Sequence, residues 1–256
     1  MKRLILWDLD GTLIDTLEDL GAAVNHSLAL RGLPELGADK YRKMVGHGVR
    51  NLVKQALEAS VRPTLAEKTA SAGPTASENY FSGRDPKSQF PEANTNPAHA
   101  DAGLTDAYID AALADFKDYY SAHIDVKTRP YGGIPELLTQ LQAKGVKMAV
   151  ASNKFQEGTE RLIKEFFPEI EFVAILGNRP GYPLKPEPAI VQEVLAKAGI
   201  GPEEAIMVGD SPTDMRTAAN GGIQGLAVGW GYRTAEELSG NPIVSSVEEL
   251  GAALLS

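Results

Sequence analysis

Residues 4–16 read L-I-L-W-D-L-D-G-T-L-I-D-T, in which an apolar run meets two closely spaced aspartates. The run Leu4–Trp7 contains no polar residue, which is typical of a strand buried on both faces in a parallel sheet covered by helices. Side chains alternate along an extended chain, so Asp8 and Asp10 should point the same way at the carboxyl end of this strand. Open α/β sheets bind their ligands at that edge. The stretch therefore predicts an acidic site at the end of the first strand.

The two aspartates need a nearby cation. At about 4 Å and an effective dielectric near 20, two carboxylates repel each other by roughly 4 kcal/mol. Gly11 allows a tight turn or a close approach to a ligand, and Thr12 adds a hydroxyl, so both are candidate ligand-binding residues. Aspartate and glycine after a strand also form ordinary turns, and D-x-D alone leaves both interpretations open.

The composition narrows the class of protein. The chain has 256 residues, 43% of them apolar, which is enough for one large α/β domain or a core with an inserted smaller one. It has no cysteine, which excludes disulfides and thiolate metal sites and fits the cytoplasm. The formal net charge of -9 argues against nucleic acid and anionic membranes as partners. No membrane span is expected, and the sequence leaves monomer and homodimer open.

The second half of the chain alternates between strand-like and helix-like segments. Helices are predicted over 134–144, 157–167, 187–198, 214–220 and 247–255, and strands over 146–151, 172–176, 205–208 and 225–228. This alternation predicts a doubly wound, Rossmann-like parallel sheet with helices on both faces. Because the first strand belongs to the same sheet, residues 1–15 and 130–256 should form the core, and residues 16–129 an inserted α-helical cap.

The predicted cap has an irregular centre. Helical periodicity predicts helices over 49–59 and 107–123. Between them, residues 60–105 are rich in Pro, Ser, Ala, Thr and Asn and show no periodicity. Such a composition buries little apolar surface, so we expect a long mobile loop there.

Further polar residues follow the later predicted strands. Ser152 and Asn153 come after the strand 146–151 and can donate hydrogen bonds to phosphate oxygens. Lys185 precedes a Pro-Glu-Pro sequence and can place a positive charge, while Asp210 and Asp214 have a spacing that suits Mg²⁺ ligands. Each residue alone is also an ordinary turn, helix-cap or solvated residue.

Taken in order, D-x-D-G-T, S-N, K-P and G-D-x-x-x-D resemble the four motifs of the haloacid dehalogenase superfamily of phosphohydrolases. The resemblance implies that Asp8 attacks phosphorus to form an aspartyl-phosphate and that Asp10 is the general acid and base. It also implies a Mg²⁺ site formed by Asp8, the backbone carbonyl of Asp10, Asp210 and Asp214. Lys185 and Ser152 would balance charge on the phosphoryl oxygens.

Within this superfamily, the sequences G-H-G-V-R-N-L, T-R-P-Y-G-G-I, L-K-P-E-P and V-G-W-G-Y-R look most like bacterial phosphoglycolate phosphatases. The resemblance implies a small phosphorylated metabolite as substrate, most simply 2-phosphoglycolate. Arg50 is then a candidate ligand of the substrate carboxylate and His47 a second substrate-binding candidate, although either can be an ordinary surface or packing residue. The alternatives are a phosphomutase of the β-phosphoglucomutase type and a non-enzymatic binding protein on the same scaffold.

Overall fold

The computed structural model describes the backbone of residues 2–70 and 104–256 and the side chains of residues 2–61 and 104–256. In chain order the strands are β1 (Leu4–Trp7), β2 (Ile14–Asp15), β3 (Arg129–Pro130), β4 (Lys147–Phe155), β5 (Phe172–Asn178), β6 (Ala205–Gly209), β7 (Gln224–Val228) and β8 (Ile243–Val244). The helices are α1 (Leu17–Ala29), α2 (Ala38–Met44), α3 (Val49–Ala70), α4 (Asp106–His123), α5 (Ile134–Ala143), α6 (Gln156–Phe166), α7 (Ala189–Ala198), α8 (Pro212–Asn220) and α9 (Val247–Leu255).

Six strands form one parallel sheet in the order β5-β4-β1-β6-β7-β8. Strand β1 lies between β4 and β6, with Trp7 opposite Val150 on one side and Val208 on the other. The carboxyl ends of these three strands therefore lie side by side. The fold is of the Rossmann-like α/β class, as the alternation of the sequence predicts.

Both faces of β1 are buried, which explains its uninterrupted apolar sequence. Leu4 and Leu6 belong to a cluster that includes Ile190 of α7, whereas Ile5 and Trp7 belong to a second cluster that includes Leu138 of α5. Burying each such side chain contributes about 1.5–3 kcal/mol to folding. The strand that carries Asp8 is thus fixed from both sides of the sheet.

Helices α1 to α4 lie between β2 and β3, and we refer to these helices and the segments joining them as the helical insertion. Strands β2 and β3 pair antiparallel and bring the two ends of the insertion together. Asp19 of α1 reinforces this junction, because its buried carboxylate accepts hydrogen bonds from the backbone N–H groups of Lys127 and Thr128. The insertion therefore starts and ends next to the sheet edge that holds Asp8.

Several boundaries differ from those predicted. Helix α3 continues to Ala70, so the irregular segment does not begin at residue 60; Leu65, Ala66, Glu67 and Lys68 are good helix formers, which the pattern of apolar residues alone did not register. Residues 71–103 of the predicted mobile loop lie outside the described residues. The short helix α2 was not predicted. Among the helices that the structure describes, none is long and apolar enough to cross a membrane.

Candidate active site

The carboxyl ends of β1, β4 and β6 open into one pocket, which is also bounded by the helical insertion. Six of the residues singled out in the sequence line this pocket, namely Asp8, Asp10, Ser152, Asn153, Lys185 and Asp210. They come from segments separated by as many as 202 positions in the chain. The predicted meeting of these side chains at one sheet edge is therefore what the structure shows.

A cluster of three buried carboxylates, which we refer to as the carboxylate floor, includes two residues that line the pocket, Asp8 and Asp210. Asp8, Asp210 and Asp214 each offer an oxygen, and these oxygens lie within 4.8 Å of one another. Lys185 is the cation nearest to them: its Nζ lies 2.9 Å from Asp8 Oδ1 and 2.6 Å from Asp214 Oδ1. It also donates to the backbone carbonyl of Ala151 at 2.8 Å. Lys185 is thereby fixed beside the carboxylate predicted to be the nucleophile.

The electrostatics of the cluster favour a further cation. Burial and the charge of Asp214 raise the pKa of Asp8 to about 7, although Lys185 acts in the opposite direction. Burial and the charges of Asp214 and Asp8 raise the pKa of Asp210 well above its usual range. Burial alone would lower the pKa of Lys185, but Asp214 and Asp8 outweigh it and the pKa is raised. With all three carboxylates ionised, their charge would exceed that of Lys185, and this repulsion contributes to the raised pKa values of Asp8 and Asp210.

Asp214 is held more tightly than the other two carboxylates. Its Oδ2 accepts hydrogen bonds from the N–H of Ser211 at 3.0 Å and from the Ser211 hydroxyl at 2.6 Å, in a capping box at the start of α8. Its Oδ1 is taken by Lys185. Both oxygens of Asp214 are thus engaged by groups of the protein, one by Lys185 and the other by Ser211.

Two glycines allow the chain to pass close to Asp210. Gly11 has φ +87°, and a Cβ atom there would lie 2.5 Å from Asp210 Oδ2. This explains the glycine of the D-x-D-G-T sequence, since any side chain would displace the carboxylate. Gly231, in the loop after β7, also passes close to Asp210 Oδ2, and the N–H of Tyr232 donates to the same oxygen at 2.6 Å. Neither Gly231 nor Tyr232 was predicted to be a site residue.

Asp10 lies in the same pocket but has different partners. Its Oδ1 accepts hydrogen bonds from Thr16 Oγ1 at 2.7 Å and from Lys154 Nζ at 3.2 Å. Burial lowers the pKa of Lys154, against the raising effect of Asp10. Lys154 was missed in the sequence analysis, although it directly follows the Ser152-Asn153 pair in β4.

Ser152 and Asn153 have different surroundings. The Ser152 hydroxyl accepts a hydrogen bond from the N–H of Lys154 at 3.2 Å, which leaves its own hydrogen for a ligand oxygen. The Asn153 amide, in contrast, is engaged at both ends. Its Nδ2 donates to the carbonyls of Gly46 and Lys185, and its Oδ1 accepts from the N–H of Lys185. Asn153 therefore holds the Lys185 loop and the insertion in place, and its amide is not free to donate to phosphate.

Four predicted ligand-binding residues, Gly11, Thr12, His47 and Arg50, do not line the pocket. Thr12 is fully buried, and Arg50 is partly exposed and pairs with Asp106 at 2.8 Å and Asp110 at 3.0 Å. The two aspartates on α4 thus use the guanidinium that was expected to meet a substrate carboxylate. His47 keeps an exposed surface, and partial desolvation of its ring together with the charge of Arg233 lowers its pKa.

The helical insertion supplies an apolar part of the pocket wall. Its lining residues are Leu20, Val45, Gly46, Gly48, Val49 and Leu52. Arg233, from the loop after β7, also lines the pocket and donates hydrogen bonds to the carbonyls of Arg42, Lys43 and Val45 at the end of α2. Within the described parts of the chain, Arg233 has no carboxylate partner, unlike Lys154 and Lys185, the other cations of the pocket.

Comparison with known proteins agrees with this geometry. A family model for haloacid dehalogenase-like hydrolases matches residues 5–228, from β1 to the end of β7. The chain belongs to this hydrolase family. The match includes all the residues of the carboxylate floor and Lys185.

Relatives within the haloacid dehalogenase-like family point to one enzyme class. The chain is 31% identical to a phosphoglycolate phosphatase of Mesorhizobium japonicum over 99% of this chain and 95% of the relative. It is also 31% identical to phosphoglycolate phosphatase 1 of Pseudomonas aeruginosa, over 98% of this chain and 76% of the relative.

One solved structure is similar over nearly the whole chain. It is the crystal structure of a candidate phosphoglycolate phosphatase from Lactobacillus delbrueckii subsp. bulgaricus, which has a TM-score of 0.79 and 30% identity and covers 99% of both chains. The predicted enzyme class, a phosphoric monoester hydrolase, is confirmed by the family match together with these relatives.

Proposed function

We propose that this enzyme is a Mg²⁺-dependent phosphatase that hydrolyses 2-phosphoglycolate, or a closely similar small phosphomonoester, to the alcohol and phosphate. One observation carries the proposal: Asp8 lies in a buried acidic cluster against Lys185, and Asp10 faces the same pocket. A nucleophile, a fixed cation and a general acid are thus within reach of one small substrate.

The donor set of the floor fits a hard divalent cation. Carboxylate oxygens are the ligands that Mg²⁺ prefers, and a divalent cation would offset the mutual repulsion that helps to raise the pKa of Asp8 and Asp210. Asp8 and Asp210 are the residues that would hold the ion, together with the predicted backbone carbonyl of Asp10. The oxygens of Asp214 are engaged by Lys185 and Ser211, so Asp214 would not be a direct ligand of the ion. When bound, the ion would offset the charge of the phosphoryl group and of Asp8.

In the reaction, a carboxylate oxygen of Asp8 attacks phosphorus as the bond to the leaving oxygen breaks, giving an aspartyl-phosphate. Asp10 gives a proton to the leaving alkoxide and later takes one from the water that cleaves the aspartyl-phosphate. Lys185 stabilises negative charge next to Asp8, and the Ser152 hydroxyl donates to a phosphoryl oxygen. Each residue needed for these steps lines the pocket.

The position of the helical insertion beside the pocket favours a small substrate over a macromolecule. It supplies an apolar part of the pocket wall, and residues such as Val45 and Leu52 would exclude water from the reacting groups. We therefore propose that the insertion acts as the predicted cap, which sets specificity by closing over the substrate. A macromolecular phosphoester would have to displace this wall.

The position of Arg233 favours a substrate that carries a second anionic group besides the phosphate. Its guanidinium lines the pocket without a carboxylate partner among the described residues, and the arginine predicted for this role, Arg50, is paired elsewhere. A carboxylate such as that of glycolate would complete the coordination of Arg233 through charge-assisted hydrogen bonds. The phosphate would then lie at Asp8 and the carboxylate towards Arg233.

The test is phosphate release from a panel of small phosphoesters, assayed with Mg²⁺ and again with excess chelator. We expect turnover of 2-phosphoglycolate with Mg²⁺ and none with chelator. Activity retained in chelator would refute the metal site. β-Glucose 1-phosphate belongs in the panel, because a phosphomutase would convert it to a sugar 6-phosphate and release little free phosphate.

A further inference from the structure

Lys154 is a buried lysine whose role the proposed reaction does not specify. Its side chain is only 3% exposed, and it lies at the end of β4 beside the pocket. Burying an ammonium group is unfavourable unless it is paired, so its partners indicate why it is there. Those partners are Asp10 Oδ1 at 3.2 Å and the hydroxyl oxygen of Tyr120 at 2.7 Å.

The contacts of Lys154 fix one oxygen of Asp10. Thr16 Oγ1 donates to the same oxygen, Oδ1, at 2.7 Å. Within the described residues no donor reaches Oδ2, and Asp10 lines the pocket. Two donors on one oxygen set the rotation of the carboxyl group. The other oxygen is thereby left to carry the proton that the leaving group needs.

Tyr120 reaches this pair from the helical insertion. It lies near the end of α4, is fully buried, and contacts the core through Lys154 and through an edge-on contact with Phe155, whose ring centroid is 6.1 Å away. The Lys154 ammonium also lies 4.7 Å from the centre of the Tyr120 ring, within the range of a cation–π contact. The position of Lys154 therefore depends on the seating of α4 against the sheet.

From these contacts we infer that Lys154 and Tyr120 are positioning residues for Asp10. Lys154 orients the carboxyl group, and Tyr120 holds Lys154 from the insertion side, so efficient proton transfer to the leaving group requires the insertion to be seated on the core. This inference rests on the proposed function, in which Asp10 protonates the leaving oxygen as Asp8 forms its bond to phosphorus. Neither residue need contact the phosphate.

If Lys154 and Tyr120 position the general acid, the loss of activity in their variants should depend on the leaving group of the substrate. A general structural role would lower activity for all substrates alike. Ethyl phosphate and acetyl phosphate are similar in size, but ethoxide must be protonated as it leaves, whereas acetate leaves as a stable anion. The ratio kcat/KM reports the steps up to formation of the aspartyl-phosphate. Only a defect in proton donation should lower kcat/KM for ethyl phosphate while sparing acetyl phosphate.

The experiment compares Tyr120→Phe and Lys154→Met with the unmodified protein, with Mg²⁺ present. Tyr120→Phe removes a single oxygen and keeps the ring packing. We expect kcat/KM for ethyl phosphate to fall by about 10-fold in Tyr120→Phe and by about 10²-fold in Lys154→Met, with changes below about 3-fold for acetyl phosphate. Asp10→Asn should show the same selectivity with a larger loss.

Tyr119→Phe is the matched control. Tyr119 is the neighbouring tyrosine of α4. Its ring stacks on the rings of His26 and His123, with centroid separations of 4.3 Å and 4.1 Å, and none of these three residues lines the pocket. It should leave kcat/KM unchanged for both substrates. Equal losses for the two substrates in Tyr120→Phe and Lys154→Met, or a rise in KM alone, would overturn the positioning role but not the phosphatase. Absence of turnover of any phosphoester by the unmodified protein would overturn the proposed function as well.

Discussion

Gly231 lies directly against the carboxylate of Asp210: a Cβ atom at Gly231 would be 2.3 Å from the Asp210 Cβ and 2.4 Å from its Oδ2. The next residue, Tyr232, donates its N–H to the same Oδ2 at 2.6 Å. A side chain at position 231 would therefore have to move the carboxylate and break this hydrogen bond. The loop after β7 thus determines where Asp210 points, although it lies more than 20 residues further along the chain.

Replacing Gly231 with alanine should damage the proposed metal site. Because the added methyl group displaces Asp210, Gly231→Ala should lower kcat/KM for 2-phosphoglycolate by about 10²-fold and raise the Mg²⁺ concentration needed for half-maximal activity. Steady-state kinetics over a Mg²⁺ titration measures both effects. Gly132→Ala is the control, since a Cβ atom at Gly132 meets nothing within 4 Å. Normal Mg²⁺ dependence in Gly231→Ala would show that Asp210 is not a metal ligand.

Asp8→Asn should abolish turnover without unfolding the protein. The amide is not a nucleophile, so kcat should fall by about 10³-fold or more. The change also removes one of three clustered carboxylates, while Lys185 keeps Asp214 and the Ala151 carbonyl as partners. The melting temperature in chelator should therefore not fall below that of the unmodified protein. Asp39→Asn, on the exposed side of α2, is the charge-matched control.

Substantial activity in Asp8→Asn would mean that another residue is the nucleophile. Loss of activity together with a lower melting temperature would mean that Asp8 is needed for folding. A circular dichroism spectrum and a thermal melt on the same preparation separate these two results. Only an inactive, folded variant agrees with the proposed role.

The strand ends could be predicted from the sequence because their chemistry is local. Asp8 and Asp10 follow an apolar run, and Asp210 follows another, so the ordinary geometry of a parallel sheet brings them to one edge. No partner far along the chain is needed for this inference. The same reasoning predicted Ser152, whereas Lys185, which precedes a Pro-Glu-Pro sequence, was predicted from the order of the four motifs; both line the pocket.

Contacts between the insertion and the core could not be predicted in this way. Lys154 and Tyr120 are 34 positions apart in the chain, and Arg233 binds backbone carbonyls about 190 positions away. Both contacts depend on how separate helices and strands pack against each other, which no local pattern indicates. The pairing of Arg50 with Asp106 and Asp110 could not be predicted for a related reason: these partners lie on α4, which follows a segment in which no periodicity was visible.

Mg²⁺ should stabilise the protein more strongly at higher pH. The pKa of Asp8 is raised to about 7 in the metal-free protein, and that of Asp210 is also raised. A carboxyl group with a raised folded-state pKa favours the fold below its unfolded pKa of about 3.9, and this contribution is lost as pH rises towards 7. Mg²⁺ competes with these protons, so the rise in melting temperature on adding Mg²⁺ should be larger at about pH 8 than at about pH 5.5.

The Mg²⁺ effect should depend on the carboxylate floor. Asp210→Asn should lose most of the Mg²⁺-induced rise at about pH 8, whereas Asp39→Asn should keep it. Differential scanning fluorimetry with Mg²⁺ or chelator gives the Mg²⁺-induced rise in melting temperature for the unmodified protein and both variants at each pH. A Mg²⁺ effect that is equal at the two pH values would contradict proton displacement from Asp8 and Asp210.

Arg233 should discriminate between substrates with and without a carboxylate. 2-Phosphoglycolate and ethyl phosphate share the same phosphate and the same two-carbon frame, and only the first carries a second anionic group. A lost charge-assisted hydrogen bond is worth about 1.5–3 kcal/mol, so Arg233→Gln should lower kcat/KM for 2-phosphoglycolate about 10- to 100-fold more than for ethyl phosphate. The ratio between substrates is the readout, because Arg233 also holds the end of α2.

Arg50→Gln completes this comparison. Arg50 was the arginine that the sequence offered for the substrate carboxylate, but its guanidinium is paired with Asp106 and Asp110 and does not line the pocket. Its removal should change neither kcat/KM nor the ratio between the two substrates. If Arg50→Gln lost the preference and Arg233→Gln kept it, the carboxylate would bind at the insertion. If Arg233→Gln lowered kcat/KM equally for both substrates, Arg233 would serve only to hold α2 against the core. The pocket would then need another group to bind the substrate carboxylate.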